Sequence, residues 1–109
     1  MPKLFVLMRD EDAIRIAQRD WAEYEIVVVF NHMVNCNPTY TGVYNKLCSV
    51  LEDCYDGDKV LMNGPPSLIA LASYIWFTYD HHTQYDVLLY NEQQRRYVEM
   101  RGDIPEEAA

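Results

Sequence analysis

The chain has 109 residues, half of them hydrophobic, and a formal charge of -8 from 17 acidic and 9 basic side chains. That length is one domain, able to bury about 65% of its unfolded surface; a core needs no metal or disulfide staple, and wholesale disorder is excluded. A surface of this sign repels phosphate backbones and anionic lipid, which argues against direct DNA or RNA binding and against a membrane partner.

Three cysteines, Cys36, Cys48 and Cys54, are odd in number and lack CxxC spacing. The opening Met-Pro-Lys leads straight into an apolar run, so no leader is expected and the thiols read as reduced, in a cytoplasmic protein. The longest apolar stretch, residues 68–77, is too short to cross a bilayer. Local basic spots remain at Arg95, Arg96 and Arg101.

Residues 4–8 are continuously apolar, as a central parallel strand buried on both faces would be. Asp10 or Asp12 is placed to cap a short helix with Ala13, Ile14, Ile16 and Ala17 on its apolar face, ending by Asp20. Residues 25–30 carry the strongest strand signal, because Ile26, Val27, Val28 and Val29 are consecutive β-branched residues. A polar loop follows over 31–37. Asn37 and Pro38 then open the clearest helix, as cap and first-turn residue. Tyr40, Val43, Tyr44, Leu47, Val50, Leu51 and Cys54 share one of its faces, and Gly57 is placed to stop it in a left-handed conformation.

Residues 59–62 read as a short strand, and Asn63-Gly64-Pro65-Pro66-Ser67 as a rigid turn, since two prolines oppose both helix and ladder. Ser67 is expected to cap a helix from 68 to about 79 that is apolar nearly all round. Such a helix is either the most buried one or a face for a second subunit. After a polar connection at 80–84, strands at 86–90 and 96–100 bracket a turn as a hairpin, the second at an edge. The tail, 101–109, with Gly102, Pro105 and acidic groups, is expected to fray, leaving 1–100 as a single domain.

The order β-α-β-α-β-α-β-β implies a three-layer α/β/α sandwich, Rossmann-like or flavodoxin-like. Its sheet is mostly parallel with an antiparallel edge hairpin. Ligands of such sheets bind outside the carboxyl ends of the strands. The bends expected there are 9–12, 31–37 and 63–67, which makes Asp10, Asn31, Asn63, Gly64 and Ser67 the candidate ligand-binding residues. The Asn63–Ser67 bend joins a glycine turn to a serine-started helix, a natural anion site. No Lys or Arg follows in the turn, which excludes a P-loop.

Catalytic and metal signals are thin. Asp10, Glu11 and Asp12 offer oxygen ligands for Mg²⁺, but such a cluster commonly complements a helix dipole. His32 and Cys36 are four apart, and His81 and His82 fall in a different loop, so no zinc set is expected. Ser67 lacks a nucleophile elbow and a matched base. Arg101-Gly102-Asp103 is read as a chance tripeptide. No motif indicates a cofactor.

The stretch Val60-Leu61-Met62-Asn63-Gly64-Pro65-Pro66-Ser67-Leu68-Ile69-Ala70, followed by Asp86-Val87-Leu88-Leu89-Tyr90 and Arg96-Tyr97-Val98, resembles the late part of Rossmann-like sensor domains of the CARF and SAVED type. That resemblance covers under half the chain. It implies dimers that bind cyclic oligonucleotides in prokaryotic antiviral systems. The opening, Lys3 through Met8 and on to Arg15, is similar to a response-regulator receiver domain. This second likeness implies an acidic pocket after the first strand and a phosphorylated aspartate after the third, where this chain has Asn63.

Three functions compete on these grounds. The first is a non-catalytic binding or regulatory domain that recognises a small nucleotide-like ligand at the Gly64 turn and forms a homo-oligomer. The second is a homo-oligomeric interaction protein, or a viral accessory protein, without a ligand. The third is a metal-dependent hydrolase or phosphotransfer relic using Asp10, Glu11 and Asp12.

Overall fold

Strands and helices alternate along the chain in a computed structural model that describes residues 1–32, 41–52, 54–55, 57–78 and 86–100. The elements are β1 (Lys3–Met8), α1 (Glu11–Asp20), β2 (Glu25–Phe30), α2 (Thr41–Leu51), β3 (Lys59–Leu61), α3 (Pro66–Trp76), β4 (Val87–Asn91) and β5 (Arg96–Glu99). They form one sheet in the order β2-β1-β3-β4-β5. β1 runs parallel to both β2 and β3, and β3 parallel to β4, while β5 closes the edge antiparallel to β4. This is the expected α/β sandwich, in the flavodoxin-like strand order.

Two cores flank the sheet. Alternate residues of β1 divide between them, because successive side chains of a strand point to opposite faces. Leu4 and Val6 join Ala13 and Ala17 of α1, with Leu61, Leu88 and Tyr97. Phe5 and Leu7 join Val43, Leu47 and Leu51 of α2 and Leu68, Ala72 and Trp76 of α3. Leu4 through Met8 are all buried, as their unbroken apolar run required. The β2 run, despite its stronger propensity, is the opposite edge, and Ile26, Val27 and Val28 are only half-buried.

The structure corrects several local readings. Ser67 does not cap α3: Pro65 holds the cap position without a side-chain hydrogen bond, and Pro66 is the first helical residue. A proline is tolerated there because the N–H it lacks would have had no partner within the helix. The helix ends at Trp76, with Phe77 as its C-cap. Gly57 is left-handed (φ +94°), but it lies in the turn before β3, past the end of α2 at Leu51. β3 stops at Leu61, one residue early, and β4 is displaced to Val87–Asn91. Asn35, Cys36, Asn37, Pro38, Tyr40, His81, His82 and the tail lie outside the described residues.

The two buried charged groups among the described residues, Asp58 and Lys59, are both paired. Asp58 accepts from Lys3 N and Tyr55 N, each at 2.8 Å, and so fastens the start of β1 to the turn before β3. Lys59, almost wholly buried, meets Glu99 at 3.3 Å and lies 5.4 Å above the Trp21 ring. Among the described residues no helix is long and apolar enough to cross a membrane.

Candidate ligand site at the carboxyl rim

β1 and β3 are neighbours, and their crossovers depart to opposite faces, one into α1 and the other into α3. The rim opens where the two connections separate, at the topological switch point. Asn63 holds this junction together. Its Oδ1 accepts from Met8 N at 3.0 Å and its Nδ2 donates to Met8 O at 2.8 Å. One amide side chain thus extends the β1–β3 pairing beyond Val6↔Leu61, the last ladder pair.

Arg9 joins the rim to β2. Its N–H donates to Phe30 O at 2.8 Å, and its Nε donates to Asn31 Oδ1 at 2.9 Å. Gly64 adopts φ +107°, and a Cβ there would stand 2.8 Å from Met8 Sδ. Only a residue without a side chain fits that conformation and that approach. The result is a cleft of about 320 Å³ lined by Met8, Arg9, Asp10, Asn63, Gly64 and Pro65. Asp10, Asn31, Asn63 and Gly64 therefore gather at one rim. Ser67 is exposed in the first turn of α3 and does not line the cleft.

The acidic cluster has structural partners. Asp10 caps α1, with Oδ1 accepting from Asp12 N at 2.9 Å and Ala13 N at 3.2 Å. Glu11 lies 3.4 Å from Arg9, and Asp12 lies 3.0 Å from Arg15. Carboxylates in the first turn complement the helix dipole. Among the described residues no three potential metal ligands form a group. At the start of α3, Pro65 supplies no side-chain bond and Pro66 no N–H; of the next two residues Ser67 is exposed and Leu68 is fully buried.

A second concavity adjoins the first through Asp10. It lies between α1 and the β4–β5 hairpin, encloses about 400 Å³ and includes Arg15, Arg19, Tyr90, Arg95 and Tyr97 in its lining. Tyr90 and Tyr97 meet edge to face with ring centroids 5.2 Å apart. Burial pushes the Tyr97 phenol above its ordinary value, and the nearby Asp10 carboxylate adds to the effect. The hydrogen bond from Arg19 holds Asp20 below its ordinary value against partial desolvation, with Arg96 adding attraction. Sequence reasoning missed this wall. Arg95 stood out only as a basic spot, and no periodicity links α1 to a hairpin some 75 residues away along the chain.

A family model described as phage Pam3 gp32-like protein matches residues 16–104. The chain belongs to that family. No curated protein and no solved structure matches it. In this gp32-like chain the matched region opens within α1. It contains Asn31, Asn63, Gly64, Ser67 and the hairpin, whereas β1 and Asp10 precede it.

Proposed function

We propose that this member of a phage family is a non-catalytic binding domain, an accessory protein of the infected cell's cytoplasm that takes a nucleotide-like ligand at the carboxyl rim. The observation that carries the reading is the cleft at the β1–β3 switch point, bounded by Arg9, Asp10, Asn63, Gly64 and Pro65. Its polar side chains serve to hold the strands and cap α1, and they do not form an acid, base and nucleophile set. The formal charge of -8 speaks for a small ligand and against a nucleic-acid duplex.

Calorimetry and thermal-shift measurements with mononucleotides, dinucleotides and cyclic oligonucleotides test this. A saturable response to at least one class is expected, raising the melting temperature as a native-state ligand must. Silence across the panel removes the reading.

A second reading rests on a different observation. Tyr44 (42% exposed), Tyr74 (70%) and Phe77 (44%) stand out on the helical layer of α2 and α3, the face of a homo-oligomer without a ligand. Sedimentation at high concentration distinguishes the two: a dimer dissociated by Tyr74→Glu supports it, and a monomer at every concentration eliminates it.

A further inference from the structure

The recess between α1 and the β4–β5 hairpin has a physical origin. Ala13 and Ala17 let α1 sit close on β1 and β3, and among the described residues α1 is the one helix on that face. The hairpin end of the sheet is thereby left partly uncovered, with Tyr97 buried as a floor and Tyr90 48% exposed beside it. Tyr97 contacts Tyr90 edge to face, which leaves ring surface of Tyr90 open to a further planar group.

The charge of the recess departs from that of the chain. Arg15, Arg19 and Arg95 line it beside Asp10 and Asp12, three cations against two carboxylates, whereas the whole sequence holds 9 cationic residues against 17 acidic ones. Arg95 is held at φ +53°, a conformation that costs an arginine about 1 kcal/mol or more. It forms no ion pair with a described residue. Arg15 pairs with Asp12 in an exposed contact, both side chains more than 70% accessible. Such a pair is weak enough to exchange partners. Asp10, shared with the rim cleft, uses Oδ1 for its cap, and its Oδ2 takes no hydrogen bond from a described residue.

We propose that this recess is the recognition half of the rim site and that its ligand class is a nucleoside monophosphate. The base stacks on Tyr90, the phosphate is held by Arg95 and Arg15, and Asp10 accepts from a sugar hydroxyl at the junction of the two cavities. This rests on the rim-binding reading above and adds to it the part of the ligand that is recognised and the residues responsible. A ring, a sugar and a dianion joined in one molecule match an aromatic face, a carboxylate and guanidinium groups lying within one concavity. A bare anion would leave Tyr90 unused, and an uncharged aromatic would leave the arginines unused.

The test is isothermal titration of the full chain with the four nucleoside monophosphates, and with inorganic phosphate and adenosine as partial ligands. At least one monophosphate is expected to bind about tenfold or more tighter than either partial ligand. Arg95→Gly removes the cation and relieves the positive φ, so the fold is retained, and affinity is expected to fall about tenfold or more for a charge-assisted contact. Tyr90→Val keeps a strand-forming residue and is expected to weaken binding at least about fivefold, the lower end for a stacked base. Equal affinity for inorganic phosphate and the monophosphates, or binding untouched by both variants, overturns the inference. Binding that Arg9→Ala abolishes while Arg95→Gly and Tyr90→Val leave it intact retains the rim-cleft reading and removes this one. No binding of any monophosphate by the unaltered chain overturns the recess, and the response to larger nucleotides then decides the rim reading separately.

Discussion

Asn63→Ala deletes both hydrogen bonds between the end of β3 and Met8. Each is worth about 0.5–1.5 kcal/mol net, so the loss is about 1–3 kcal/mol, centred near 2 because Asn63 is only half-buried and water partly replaces the amide. Asn63→Asp is more informative. The introduced carboxylate still accepts from Met8 N, but it has no donor for Met8 O and sets its own oxygen against that carbonyl. A cost of about 2–4 kcal/mol is expected at pH 7. Protonation restores the donor, so the neutral carboxyl is preferred in the folded state and its folded pKa lies above the unfolded value of about 3.9. The stabilisation from that proton is full below the unfolded pKa and is lost as pH rises through the folded one. The gap between Asn63→Asp and the parent should therefore narrow steadily from pH 7 down to about pH 4. Urea unfolding followed by tryptophan emission suits the measurement, because Trp76 is fully buried and Trp21 half-buried. An Asn63→Ala variant within about 0.5 kcal/mol of the parent refutes the clamp, as does an Asn63→Asp gap that does not close on acidification.

Two glycines separate backbone strain from steric contact. Gly57→Ala meets nothing within 4 Å and should cost only the positive-φ penalty, about 1–2 kcal/mol. Gly64→Ala adds the approach to Met8 Sδ at 2.8 Å and should cost clearly more by chemical denaturation; equal costs would remove the close-packing argument. Asp58→Ala removes the acceptor of two part-buried N–H groups, Lys3 N and Tyr55 N, and should destabilise by about 1–3 kcal/mol, with a loss under about 0.5 kcal/mol contradicting its role. Asp20, held below its ordinary pKa, contributes stability present above the unfolded carboxylate pKa and lost as pH falls through the lower folded value. The stability difference between the parent and Asp20→Asn should accordingly shrink as pH drops below about 4; a difference that grows on acidification would reverse the assignment.

The alternation of apolar runs carried the architecture, because a doubly wound sheet imposes it over the whole chain. Leu4 to Met8 had to lie between strands and helices on both sides, and Pro66 and Gly64 marked the rim turn by their backbone constraints alone. The candidate site was legible as a set of bends and much less so as a set of roles. Asn63 looked like a ligand residue because asparagine is polar and the rim is where ligands bind. Its actual partners, Met8 N and Met8 O, are 55 positions away, and no local pattern announces such a bond. Ser67 was misread because a serine cap is the common solution and Pro65 the uncommon one. The arginine and tyrosine recess was invisible for a related reason. Its walls, Arg15 and Arg19 on one side and Tyr90, Arg95 and Tyr97 on the other, meet only through the parallel stacking of β1, β3 and β4.

The most direct test of a ligand at the switch point is amide chemical-shift mapping of the isotopically labelled chain during titration with a nucleotide found to bind. The account predicts saturable shifts concentrated at Asp10, Asn31, Asn63 and Gly64, with the α2–α3 surface around Tyr44 and Tyr74 unmoved. Shifts confined to that helical surface, or spread evenly over the protein with the rim silent, would contradict it.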